Sequence, residues 1–161
     1  MKRGLTPQEN EERARIDRIR GKDPNETVRL HELNILQSAL EFRYGKRNLP
    51  EAFYDFLKHK GIEIEGSILI SAADWEQGTN PLFGEILSQE EKFYSYDLDF
   101  TEDGTDLLEV NEWIDITEEK NLKEHNRGVP KTYYKIAVEV LRKLRSEQVS
   151  GHNSGGCAPS A

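Results

Sequence analysis

Cysteine is almost absent: a chain of 161 residues carries one, Cys157, so no internal disulfide can form. Long apolar runs are absent as well. Nothing approaches the roughly 18 consecutive apolar residues that cross a bilayer. The opening Met1-Lys2-Arg3-Gly4-Leu5-Thr6-Pro7 has no apolar core of the kind a secretory signal needs. These absences lead to the expectation of a cytoplasmic protein with no membrane partner. There is no phosphate-binding P-loop, no dinucleotide fingerprint and no Cys/His metal spacing, so neither a cofactor nor a metal is expected. Apolar residues are only 35% of the chain against 32% charged, so part of it is expected outside the core.

Basic residues are nearly missing from one stretch. Residues 85–119 hold thirteen acidic side chains and one basic one, Lys92, whereas residues 120–161 hold eight basic and three acidic. A segment this negative repels phosphate and attracts basic surfaces, which argues against nucleic acid as its partner.

The punctuation for helices is clear. Thr6-Pro7-Gln8-Glu9 and Asp23-Pro24-Asn25-Glu26 each place a capping side chain, a proline at the first helical position and a glutamate that reaches back. Asn48-Leu49-Pro50-Glu51 is a variant. The pattern predicts a helix from about Pro7 to Arg20, stopped by Gly21. Its few apolar residues, Ala14, Ile16 and Ile19, make it a charged arm. A second helix is expected from Pro24 to Tyr44, stopped by Gly45, and a third from Pro50 to Lys60, stopped by Gly61.

The period then changes. Ile62, Ile64, Ile68 and Ile70 read as one or two strands broken at Gly66-Ser67, residues 72–82 as a loop, and Phe83–Leu87 is ambiguous. In Phe93–Phe100 the side chains of Tyr94, Tyr96, Leu98 and Phe100 share one face, with Asp97 and Asp99 on the other. After a turn-rich Thr101–Asp106, Leu108, Val110, Ile114 and Ile116 alternate with Glu109, Trp113 and Asp115. This predicts an antiparallel hairpin with one face on the core. Gly128-Val129-Pro130 opens a basic last helix to about Glu147, with a Gly/Ser-rich tail expected to be disordered. The expected fold is α+β: a small, mainly antiparallel sheet with helices on one face, an N-terminal arm (1–22), one domain (23–148) and the tail (149–161).

Catalytic motifs fail on spacing. His31-Glu32 lacks the second histidine of a zinc-protease helix, since position 35 is Ile35. Asp99-Phe100-Thr101-Glu102-Asp103-Gly104 begins like a calcium loop but has Val110 where the bidentate glutamate belongs. Cys157 and His152 lie in the tail without a fixed geometry. His125 could act as a base in an enzyme reading with scattered carboxylates, but no acidic pair is singled out. The last helix is basic yet lacks interleaved stacking aromatics.

What stands out is the hairpin. Like charges on neighbouring strand positions repel, so a basic protein partner would relieve them. The candidate protein-binding residues are Asp97, Asp99, Glu102, Asp103, Asp106, Glu109 and Asp115, with Trp113 projecting among them as an aromatic anchor. A Trp113 buried in a second core is the competing reading. The leading expectation is therefore a binding protein rather than an enzyme; a structural or adaptor subunit is a third reading.

Leu49-Pro50-Glu51-Ala52-Phe53-Tyr54-Asp55-Phe56-Leu57, followed by Gly61, acidic-faced strands and a last helix, resembles the SUKH superfamily over roughly residues 36–116. The family's asparagine and second glycine are not found in His59-Lys60-Gly61-Ile62. Many bacterial SUKH members are immunity proteins that neutralise toxins, often nucleases. The resemblance implies an acidic inhibitor of a basic toxin.

Overall fold

The computed structural model describes residues 4–18, 24–72, 81–118 and 131–156, with no side chain described at 24, 131 or 148–156. Helices α1 (Pro7–Arg18), α2 (Pro24–Arg43) and α3 (Glu51–His59) come first. A 3₁₀ turn (Ile64–Gly66) leads into strands β1 (Ile68–Ser71), β2 (Leu82–Leu87), β3 (Phe93–Phe100) and β4 (Leu107–Asp115). Helix α4 (Lys131–Gly156) closes the described chain. The four strands form one antiparallel sheet in the order β1-β2-β3-β4. The fold is α+β, as the sequence led us to expect.

The helix ends follow their local chemistry. The Thr6 amide donates to Glu9 Oε1 at 2.9 Å and the Glu9 amide to Thr6 Oγ1 at 3.1 Å, a reciprocal capping box. Gly45 and Gly61 sit at positive φ, 68° and 78°. There they end α2 and α3, with the Lys46 amide on the Glu41 carbonyl and the Ile62 amide on the Leu57 carbonyl. Pro50 precedes α3 without a side-chain cap. The Ala52 amide instead donates to the Gly104 carbonyl at 3.0 Å, which ties the start of α3 to the β3–β4 turn. Ile19, Gly21, Asp23, the loop 73–80, His125, Gly128-Val129-Pro130 and Cys157 lie outside the described residues. The α4 backbone continues through Gly156, past the stop expected near Glu147.

The sheet separates two apolar layers, because strand side chains alternate between faces. On one face Ile68, Ile70, Leu87, Phe93 and Ile116 pack with α2 (Ile35, Leu36, Ala39, Leu40) and α4 (Ala137, Val140, Leu141, Leu144). On the other, Leu69, Ile86, Tyr96, Leu98 and Phe100 pack with α3 (Phe53, Phe56, Leu57) and with Phe42 at the end of α2. The α+β reading stands, but the expected placement of helices on one face is corrected: α3 covers the second face. Helix α2 and the residues just after it also close the β1 edge, where Ser38 Oγ donates to the Leu69 carbonyl and Arg47 Nη2 to the carbonyl of Ala72, next after β1. The segment 62–66, read as possible strand, is an irregular stretch followed by the 3₁₀ turn Ile64–Gly66. Helix α1, expected as an arm, lies on α2. It buries Ile16 and engages Arg29 through Glu12 at 2.6 Å.

Helix α4 spends part of its positive charge at the β2–β3 turn. Arg142 and Arg145 reach Glu91 at 2.6 and 3.0 Å. The Arg142 hydrogen bond, helped by Arg145, holds the Glu91 carboxyl below its usual range. A carboxyl depressed in the folded state contributes stability above its unfolded pKa of about 4.3, and that contribution is lost as pH falls through the lower folded value. Glu91→Gln is therefore expected to leave a shallower acid-side decline in melting temperature than wild type below about pH 5. Thermal melts between neutral and acid pH check this; parallel curves would contradict it.

Candidate functional site

The β3–β4 hairpin carries the acidic residues singled out in the sequence, and two bulges decide where they point. Asp97 lies opposite Glu112 and Leu98 opposite Val110, so Asn111 is an extra residue; Asp99 lies opposite Glu109 and Phe100 opposite Leu107, so Leu108 is another. Each extra residue shifts the alternation of β4 by one. Val110 therefore shares the α3 face with Leu98, whereas Ile114 and Ile116 lie on the opposite face, with Ser95 and Phe93. The expected single apolar face of β4 is thus divided between both sides of the sheet.

Asp97, Asp99 and Glu109 are brought together on the face that also carries Phe93 and Ser95, and Glu112, which the alternation had hidden, joins them. Asp97 faces Glu112 and Asp99 faces Glu109, two directly opposed like-charge pairs. Such partners stand with their Cβ atoms about 5 Å apart. Asn111 Nδ2 donates to Asp97 Oδ1 at 3.3 Å and Ser95 Oγ to Glu112 Oε2 at 2.6 Å. No described lysine or arginine forms an ion pair with Asp97, Asp99 or Glu109. The arginines of α4 are directed to Glu91 instead. Phe83, opposite Asp97 on β2, is 50% exposed and Ile114 37%, so the carboxylates are bordered by apolar surface.

The remaining candidates lie elsewhere. Glu102, Asp103 and Asp106 belong to the turn, which the Thr101 amide closes on the Asp106 carbonyl. Asp103 is absorbed in it, accepting from the Thr105 amide and from the hydroxyls of Thr105 and Thr101. These donors, the Thr105 amide foremost, hold its carboxyl below the usual range. Asp115 pairs with Tyr94 and so lies on the α3 face. Burial pushes its carboxyl up, but the Thr117 hydroxyl and amide and the Lys92 ammonium outweigh that and bring it below the ordinary value.

Trp113 is the clearest correction. It pairs with Tyr96 on the α3 face, stacks on Tyr94 with centroids 4.6 Å apart and planes 11° apart, and meets the edge of Phe56 at 5.3 Å. It caps the second apolar layer rather than standing among the acids, because the Asn111 bulge puts it one step out of the simple alternation.

β4 is the outer strand of the sheet, and most of it is exposed, including Leu108 at 65% and Val110 at 43%. Among the described residues no strand lies beyond β4, so it ends the sheet as an edge strand, the kind of position at which another strand can add. Among the described residues there is also no grouping of His, Cys, Asp or Glu that could hold a metal ion, and no helix long and apolar enough to cross a membrane.

The opposed pair Asp99–Glu109 costs the free protein stability. Asp99→Asn is expected to raise stability by about 0.2–1 kcal/mol at low salt, with a smaller gain at high salt as screening weakens the repulsion. Melting curves of both proteins at two salt concentrations check this; a destabilised variant would contradict it.

The fold and this surface define an α+β protein with an acidic edge strand. No family model matches the chain, and neither a curated protein nor a solved structure matches it.

Proposed function

We propose that the protein is a cytoplasmic binding inhibitor of the immunity-protein kind, which neutralises a basic toxin by covering it with the acidic hairpin. The observation that carries this reading is the Asp99–Glu109 pair beside Asp97: three carboxylates without a described cationic partner, gathered on the outermost two strands of a sheet. Such an arrangement is unfavourable alone and favourable against a basic surface, and it steers encounter. The SUKH-like Leu49–Leu57 segment supports the same reading from a different part of the chain.

The β4 edge strand supplies the mode of contact. An extended segment of the partner adds to β4 through backbone hydrogen bonds, as in strand addition at other sheet edges. Its alternate side chains then fall on the two faces. Basic ones meet Glu109 and Glu112, and apolar ones meet Val110 and the rim of Trp113.

The test is capture from the native host with the full chain as bait, at low and high salt, beside the variant Asp97→Asn/Asp99→Asn/Glu109→Gln. A basic protein retained by wild type at low salt, released at high salt and not retained by the variant is the expected result. A partner held equally by both baits removes the hairpin from the function. If what is retained is nucleic acid, the inhibitor reading itself fails.

A further inference from the structure

The geometry points to a small-molecule site away from the acidic edge: a pocket of about 730 Å³ between the end of α2, the outer face of α3 and residues 61–65, suited to a small aromatic or apolar monocarboxylate. Its volume falls within the range of small-molecule sites, and it is an open groove rather than a closed cavity. Phe42 and Ile62 form the buried back, and Tyr54 and Ile64 the half-buried walls. Phe42 and Tyr54 are stacked, with centroids 5.8 Å apart and planes 16° apart, which makes one wall aromatic. A flat ring entering beside them finds the offset-stacking or edge contacts that aromatic pairs prefer.

Arg43 sets the charge of the ligand. Its Nε–H is buried and has no hydrogen-bond partner, and no described carboxylate pairs with its guanidinium. Arginines at buried or interfacial positions normally meet a carboxylate or phosphate, and here no described residue supplies that acceptor while the side chain lines an open pocket. Lys58 adds a second cation at the exposed rim, with Glu63 and Glu65 beside it. Those two glutamates disfavour a multiply charged anion such as a phosphate monoester. One carboxylate on an apolar body meets the part of the Arg43 side chain that lines the pocket without that repulsion. Gly45 and Gly61, both at positive φ, turn the chain away at the ends of α2 and α3, and so leave the mouth open between the two helix termini.

The experiment uses the full chain labelled with ¹⁵N and three probes of one shape: phenylacetate, phenylacetamide and phenethylamine. Phenylacetate is expected to saturate, with amide shifts centred on Phe42, Ile62 and Ile64, and the neutral and cationic analogues to bind at least about tenfold more weakly, the value of one charge-assisted contact. This comparison is made on wild type and does not depend on a variant folding. Arg43→Gln is then expected to bring phenylacetate down to the level of phenylacetamide. Equal binding of the three probes, shifts scattered over the surface, or full phenylacetate affinity in Arg43→Gln would each overturn the assignment. None of these outcomes bears on the acidic edge, because the pocket and β4 share no residue.

Discussion

Replacing Gly84 with alanine is expected to cost about 3 kcal/mol or more of folding stability. Gly84 lies in β2, opposite Tyr96, at the place where the β1–β2 register breaks between Leu69 and Ser71. The Ser71 carbonyl folds over it, and a Cβ there would stand 1.8 Å from that oxygen and 2.8 Å from the Tyr96 hydroxyl. The first distance is to backbone, so no rotamer change relieves it. The clash also displaces the acceptor of the fully buried Tyr96, whose hydroxyl donates to the Ser71 carbonyl at 3.0 Å. A buried hydroxyl without a partner carries a further penalty. Chemical denaturation measures the effect; a loss under about 1 kcal/mol would mean that β1 shifts freely over β2, and would contradict the packing described above.

Removing the carboxylates of Asp97, Asp99 and Glu109 is expected to weaken partner binding by about 2–3 kcal/mol, a factor of roughly 30 to 150. Each of Asp97, Asp99 and Glu109 faces outward from the last two strands, so each contributes about one charge-assisted contact of the kind that fixes register against a basic chain. Much of the loss should appear in the association rate, and the difference between wild type and the variant Asp97→Asn/Asp99→Asn/Glu109→Gln should shrink as salt rises. The same variant should fold at least as well as wild type, since the opposed Asp99–Glu109 pair is relieved. Weaker binding together with equal or greater stability is a combination that simple misfolding cannot produce. Titration calorimetry of the captured partner at two salt concentrations separates these quantities.

Local chemistry was legible in the sequence where it acts within a few residues. The Thr6–Glu9 box, the Gly45 and Gly61 stops and the alternation of β3 all follow from neighbours along the chain. β2 was ambiguous for a physical reason: it is an inner strand with Leu82, Gly84, Glu85, Ile86 and Leu87 all buried, so it lacks the alternation that marks a strand with one wet face. β4 misled because bulges at Leu108 and Asn111 carry no sequence signal of their own, yet each moves every later side chain to the other face. That is why Trp113 and Asp115 left the acidic face and Glu112 entered it. The density of acids in residues 85–119 was enough to suspect Glu112, but its face depended on the bulge. Helix α1 looked like an arm because one buried isoleucine and a set of ion pairs leave little apolar periodicity. The Arg43 pocket was out of reach altogether, since it is assembled from three segments and its signature is an acceptor that no described residue supplies.

Whether β4 receives a basic strand is decided by amide hydrogen exchange on the full chain. A synthetic peptide alternating lysine and valine over eight residues is added at low salt, and exchange is followed residue by residue. Slowed exchange is expected at outward-facing amides of β4, lost in the variant Asp97→Asn/Asp99→Asn/Glu109→Gln and at high salt. Slowed exchange on α4 or α1 with β4 unchanged, or the same protection in the variant, would contradict it.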